Sequence, residues 1–100
     1  MFLKEQPELR TVEDLREFIR EFFKGKPVKV YLFGSRARGD NSPYSDVDLA
    51  FDSGVDIRKE LTVLKEVIEE SSLPYKVDLV DLKGAPYLRK KVEEEGIRWL

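Results

Sequence analysis

Val28-Lys29-Val30-Tyr31-Leu32-Phe33 and Val47-Asp48-Leu49-Ala50-Phe51 are two runs of strand-forming residues divided by a turn and a polar loop. β-Branched and aromatic side chains suit a pleated surface, so the first run reads as a buried strand over 28–33. Gly34 ends it, and Gly34-Ser35-Arg36-Ala37-Arg38-Gly39 reads as a tight backbone turn. Asn41-Ser42-Pro43-Tyr44 follows as a loop by its turn chemistry. In the second run Val47, Leu49 and Phe51 alternate with Asp46, Asp48 and Asp52. Such a strand has one apolar face, which must be buried, and one acidic face.

The acidic face carries the chemistry. Strand residues i and i+2 point the same way, about 6.5–7 Å apart, so Asp46 and Asp48 can share a metal or bridge two metals about 3.5–4 Å apart. A third run, expected as a strand over 75–82, contains Val77-Asp78-Leu79. Asp78 and Asp81 have opposite parity, so only one can join the cluster. Asp78 is the candidate, because Asp81 lies where the turn into Lys83-Gly84 begins. Three carboxylates on one surface repel, and without a cation at least one should titrate high. Gly34 permits close backbone approach, and Ser35 can offer a hydroxyl and an N–H to a phosphate oxygen. Arg36 and Arg38 can neutralise phosphate as planar forks, or serve simply as exposed solubilising residues. Neither a Walker A loop nor a dinucleotide fingerprint is present. A phosphate cradle beside paired carboxylates is what nucleotidyl transfer requires.

Composition narrows the mechanism. With no His and no Cys among 100 residues, the chain cannot build a His-based triad, a catalytic thiolate or an imidazole–thiolate zinc site. Carboxylate oxygens select hard cations such as Mg²⁺ or Mn²⁺. A formal net charge of -2 argues against stable nucleic-acid or membrane-surface binding. No apolar run approaches the roughly 20 residues of a membrane span, and the charged N-terminus is unlike a signal peptide, so a cytoplasmic protein is expected. Charged residues make up 38% of the chain, with Glu and Lys prominent, a balance common in heat-stable proteins.

Around this centre the chain reads as a single domain over 1–100. Residues 1–10 should begin to organise near Leu9. Thr11 and Asp14 suggest a helix N-cap, and Val12, Leu15, Phe18, Ile19, Phe22 and Phe23 form its stripe up to Gly25 and Pro27. Asp56 is placed to cap a second helix striped by Ile57, Leu61, Leu64, Val67 and Ile68. Pro86 opens a last helix through about Glu95, with Gly96 as a left-handed cap. Ile97–Leu100 forms a short final strand. This order implies an α/β (α+β) fold: a mixed sheet of about four strands with helices on one face.

Gly34-Ser35, the continuation to Gly39, Ser45-Asp46-Val47-Asp48-Leu49 and Val77-Asp78-Leu79 together resemble the DNA polymerase β-type nucleotidyltransferase superfamily. More narrowly, the chain is similar to the minimal nucleotidyltransferases of HEPN–MNT toxin–antitoxin pairs, over nearly its whole length. The resemblance implies two Mg²⁺ ions, with Mn²⁺ as a substitute, on Asp46, Asp48 and Asp78. It implies ATP phosphates on Gly34 and Ser35, with Arg36, Arg38 and Ser45 completing the nucleotide site. It also implies AMP transfer to a hydroxyl, a tyrosine of a helical HEPN ribonuclease partner, with Asp78 serving the attacking side. A chain of this length leaves no room for the second helical domain of larger members, so the base pocket is shallow or completed by a second chain, which a homo-oligomer could supply. Two other readings stand beside this one: an antitoxin that occludes its partner with an idle site, and a small-molecule, aminoglycoside-type transferase.

Overall fold

The computed structural model of the protein describes residues 8–40 and 42–100. The first seven residues, and Asn41 of the expected loop, lie outside the described residues. Four strands, β1 (Val28–Phe33), β2 (Val47–Ser53), β3 (Val77–Asp81) and β4 (Ile97–Arg98), form one sheet in the order β3-β2-β1-β4. β2 runs antiparallel to β1 and parallel to β3, and β4 runs antiparallel to β1. A parallel neighbour needs a crossover, and α3 (Arg58–Glu69) supplies it between β2 and β3. The expected mixed four-strand sheet is the one observed.

Strand parity sorts the core into two layers. Val28, Val30 and Leu32 of β1, with Val47, Leu49 and Phe51 of β2, face α1 (Val12–Phe22) and α3. Leu15, Ile19, Phe23 and Leu64 are wholly buried against them. Each such side chain contributes roughly 1.5–3 kcal/mol through removal from water. Helix α1 starts where the sequence places it. The Thr11 hydroxyl accepts from the Asp14 N–H at 3.0 Å, and Asp14 accepts in return from Thr11 N–H, a full capping box. Leu9 is buried, as expected for the point where the N-terminal segment first organises.

The opposite face holds Phe33, Ala50, Leu82 and Val92 as a smaller cluster. Val92 comes from α4 (Arg89–Glu95), which follows a 3₁₀ turn over Pro86–Leu88. The expectation of helices on one face holds for α1 and α3 only: α4 packs on the opposite face and covers it in part, because Val92 is buried with Phe33 and Ala50. Ala50 is wholly buried in this cluster. Asp48 and Asp52 of β2 and Asp78 of β3 lie on that same partly covered face, whereas Asp81, paired with Phe51, has the opposite parity.

Three local expectations shift. Asp56 does not cap α3 as the N-cap residue. Ile57 is the N-cap, and Asp56, one position earlier, accepts from the Arg58 N–H at 3.0 Å. The third strand is shorter than 75–82 and begins at Val77. Gly96 is extended rather than left-handed, with φ −71° and ψ 145°. A side chain there would collide with the Val92 carbonyl, so close approach and not backbone handedness calls for glycine. Among the described residues, no helix is long and apolar enough to cross a membrane.

Candidate active site

Gly34 leaves β1 with φ +82° and ψ −157°, a conformation that side chains disfavour, and α2 (Ser35–Arg38) starts immediately after it. The first N–H groups of so short a helix have no intrahelical acceptor. Gly39, also at positive φ, closes the turn by donating to the Ser35 carbonyl at 2.9 Å. Gly34 is packed against the acidic strand. A Cβ built on it would stand 2.5 Å from Asp48 Oδ2. The cradle and the carboxylate are thus direct neighbours, which the antiparallel register explains: Phe33 pairs with Asp48.

Asp48 also pairs with Asp78 across the parallel β2–β3 ladder, so the two project from one face. Asp46 lies immediately before β2, with the same parity. Asp46 and Asp78 are exposed, whereas Asp48 is half-buried. Burial raises the Asp48 carboxyl above its ordinary range, and the charges of Asp78 and then Asp46 push it further. Lys91 of α4 and Lys76 oppose that shift. Asp81, at the end of β3, accepts from the Lys83 N–H at 3.1 Å and so begins the turn, as its sequence position suggests.

The donor set is all oxygen and carries negative charge that Lys91 and Lys76 offset only in part, which fits a hard divalent cation. Asp46, Asp48 and Asp78 are the residues that would hold it. Among the described residues, no three acidic groups are drawn close enough together to hold an ion between them.

The two arginines of the turn have partners within the protein. Arg36 donates from Nε to the Ser45 carbonyl and from Nη2 to the Pro43 carbonyl, both at 3.1 Å, and stacks 4.6 Å above the Tyr75 ring. It braces the loop that delivers Asp46. Ser45 contributes to that brace through its carbonyl, while its hydroxyl accepts from the Ser42 N–H at 2.9 Å. Arg38 pairs with Asp40 at 3.1 Å and with Glu95 of α4 at 3.2 Å. Ser35 is half-buried at the head of α2.

Sequence reasoning missed two contributors from α4. Lys91 brings positive charge toward Asp48. Glu95 accepts from the Gly34 N–H at 3.1 Å. Its signal was present but faint: Leu88, Val92 and Glu95 recur at helical spacing, placing an acid on the stripe that packs against the sheet. A third tie holds α4 in place, since Arg89 grips Asp52 of β2 through two hydrogen bonds of 3.2 and 3.3 Å.

The chain is similar to proteins described as nucleotidyltransferases and adenylyltransferases. Residues 12–99 match the family model described as a nucleotidyltransferase domain. The chain is 32% identical over 98 residues to "Putative protein adenylyltransferase MJ1379" of Methanocaldococcus jannaschii, covering 89% of this chain and 98% of the relative. It is 44% identical over 54 residues to "Probable protein adenylyltransferase MntA" of Haemophilus influenzae, covering 52% of this chain and 46% of that one. A crystal structure of a toxin–antitoxin with AMP-PNP superposes with a TM-score of 0.62 at 28% identity, over 90% of this chain and 73% of its own. The glycine turn against Asp48, the paired strand carboxylates and a match spanning all four strands together place the chain in the nucleotidyltransferase domain family.

Proposed function

We propose that this protein transfers AMP from ATP to a tyrosine hydroxyl of a helical, HEPN-type ribonuclease partner, and so acts as its antitoxin in the cytoplasm. One observation carries the reading: Gly34 lies against Asp48, which pairs with Asp78, so a phosphate cradle and two carboxylates share one surface. The relatives named as protein adenylyltransferases support a protein acceptor. The toxin–antitoxin neighbour with AMP-PNP supports an adenine nucleotide and a toxin partner.

Asp46, Asp48 and Asp78 would hold two Mg²⁺ ions, which when bound lower the pKa of the attacking hydroxyl and steady the departing pyrophosphate. The residues of this chain do the rest. Ser35 and the first N–H groups of α2 receive phosphate oxygens, with Gly34 giving the room to approach. Lys91 adds positive charge to this side of the site, while Arg38, at the end of α2, is paired with Asp40 and Glu95. Asp78, exposed on the edge strand, is open to the acceptor and suited to take its proton. Arg36 and Ser45 keep the Asp46 loop in place. Tyr44, 74% exposed beside Asp46, is suited to partner contact.

Intact-mass spectrometry of the partner, after incubation with this protein, ATP and Mg²⁺, tests the proposal. One or more added AMP groups, absent with Asp46→Asn, are expected. Tight binding with no mass change would identify an occluding antitoxin. Neither binding nor transfer would favour a small-molecule acceptor.

A further inference from the structure

We propose that Glu95 is a positioning residue of this site: it grips both ends of α2 and so fixes the phosphate cradle against Asp48. The inference rests on the transferase reading above and adds a residue to it. Gly34 turns out of the strand ladder at positive φ, so its N–H needs an acceptor from elsewhere. Glu95, 61 residues away in sequence, provides it through Oε1 at 3.1 Å. The same carboxylate receives Arg38 Nη1 at 3.2 and 3.3 Å on its two oxygens. Gly34 is the N-cap of α2 and Arg38 its last residue, so one side chain holds the element at both ends.

A four-residue helix has no stability of its own, because nucleation costs more than so few hydrogen bonds return. Its place must come from outside contacts. Ala37 packs on the core and Arg36 ties α2 to the Asp46 loop and Tyr75, while Glu95 ties it to α4. The Glu95 side chain is 20% exposed and its bond to the Gly34 N–H is partly buried, which strengthens that bond relative to open solvent. A carboxylate beside an anion site would repel phosphate, and Arg38, shared with Asp40, offsets that charge in part. Since Gly34 touches Asp48, any drift of Gly34 changes the spacing between cradle and carboxylates.

Two readouts on the full chain test this: calorimetric titration with Mg²⁺ and ATP, and the Gly34 amide by NMR. Losing a charge-assisted hydrogen bond to Gly34 should make Glu95→Ala bind ATP roughly tenfold or more weakly, with the Gly34 amide shifted and exchanging faster. Glu95→Gln keeps an acceptor of the same length and should restore binding to within about threefold of the wild type. Glu95→Asp, one methylene shorter, should fall between the two, and it replaces Glu95→Ala in the comparison if the latter does not fold. A purely structural role would lower the melting temperature yet leave ATP affinity unchanged well below it. Unchanged or tighter ATP binding in Glu95→Ala, or in Glu95→Asp, overturns the proposal while the wild type still binds. Wild-type protein that does not bind Mg²⁺–ATP overturns the transferase reading and this inference with it.

Discussion

Gly34 does two things that no other residue type can do at that position. It adopts a φ of +82°, and it leaves the space that Asp48 Oδ2 occupies. Gly34→Ala should therefore destabilise the fold by about 1–3 kcal/mol, the usual range for enforced backbone strain, and should weaken ATP binding as well. Chemical denaturation and calorimetry measure the two effects, and an alanine variant with wild-type values of both would contradict the geometry. Asp48 carries the opposite kind of tension. Its carboxyl titrates higher in the fold than in the unfolded chain, through burial first and then the charges of Asp78 and Asp46. The folded state thus holds more protons between the ordinary Asp value and the raised one, and stability falls as pH rises through that window. Asp48→Asn should raise the melting temperature of the ligand-free protein at neutral pH, and the gain should vanish below the ordinary carboxylate range. A gain that persists in acid would show packing, not charge, to be its cause.

At the scale of elements, strand parity makes the sharpest claim. Asp78 shares a face and a ladder position with Asp48, whereas Asp81 accepts from the Lys83 N–H in the following turn. Asp78→Asn should abolish AMP transfer while largely sparing ATP binding, and Asp81→Asn should be mild. An active Asp78→Asn beside a dead Asp81→Asn would reverse that assignment. The parity was legible in the sequence because alternation of period two survives in any strand pairing. So were α1, through its stripe and its Thr11–Asp14 capping box, and β1, whose bounds match the run of β-formers. The arginines were not legible. Composition and spacing put Arg36 and Arg38 near phosphate, but long side chains find partners that only tertiary contact reveals. Arg36 reached two loop carbonyls and Tyr75, and Arg38 reached Glu95. Glu95 was hidden in a run of three acids, of which only one packs toward the sheet.

The described residues form a sheet with one face largely covered and one partly covered, and the proposed function rests on the second. α1 and α3 bury the apolar side and hold β1, β2 and β3 rigid. α4 covers the far side only in part, over Phe33 and Ala50, and leaves Asp46 and Asp78 exposed in front of it. The sequence conveyed the layering of α1 and α3, since their stripes are long and regular. It could not convey which face a short helix with a single buried Val92 would choose, because so short an apolar stripe can be buried on either side of a sheet. The central claim is that Asp46, Asp48 and the Gly34 turn form one metal–nucleotide site on this open face. Thermal unfolding with and without Mg²⁺ and ATP, on the wild type and on the Asp46→Asn/Asp48→Asn variant, tests it most directly. Ligand that binds only the folded state raises the melting temperature. A rise in the wild type that requires both Mg²⁺ and ATP and disappears in the folded double variant is expected, whereas a full rise in that variant would put the site elsewhere.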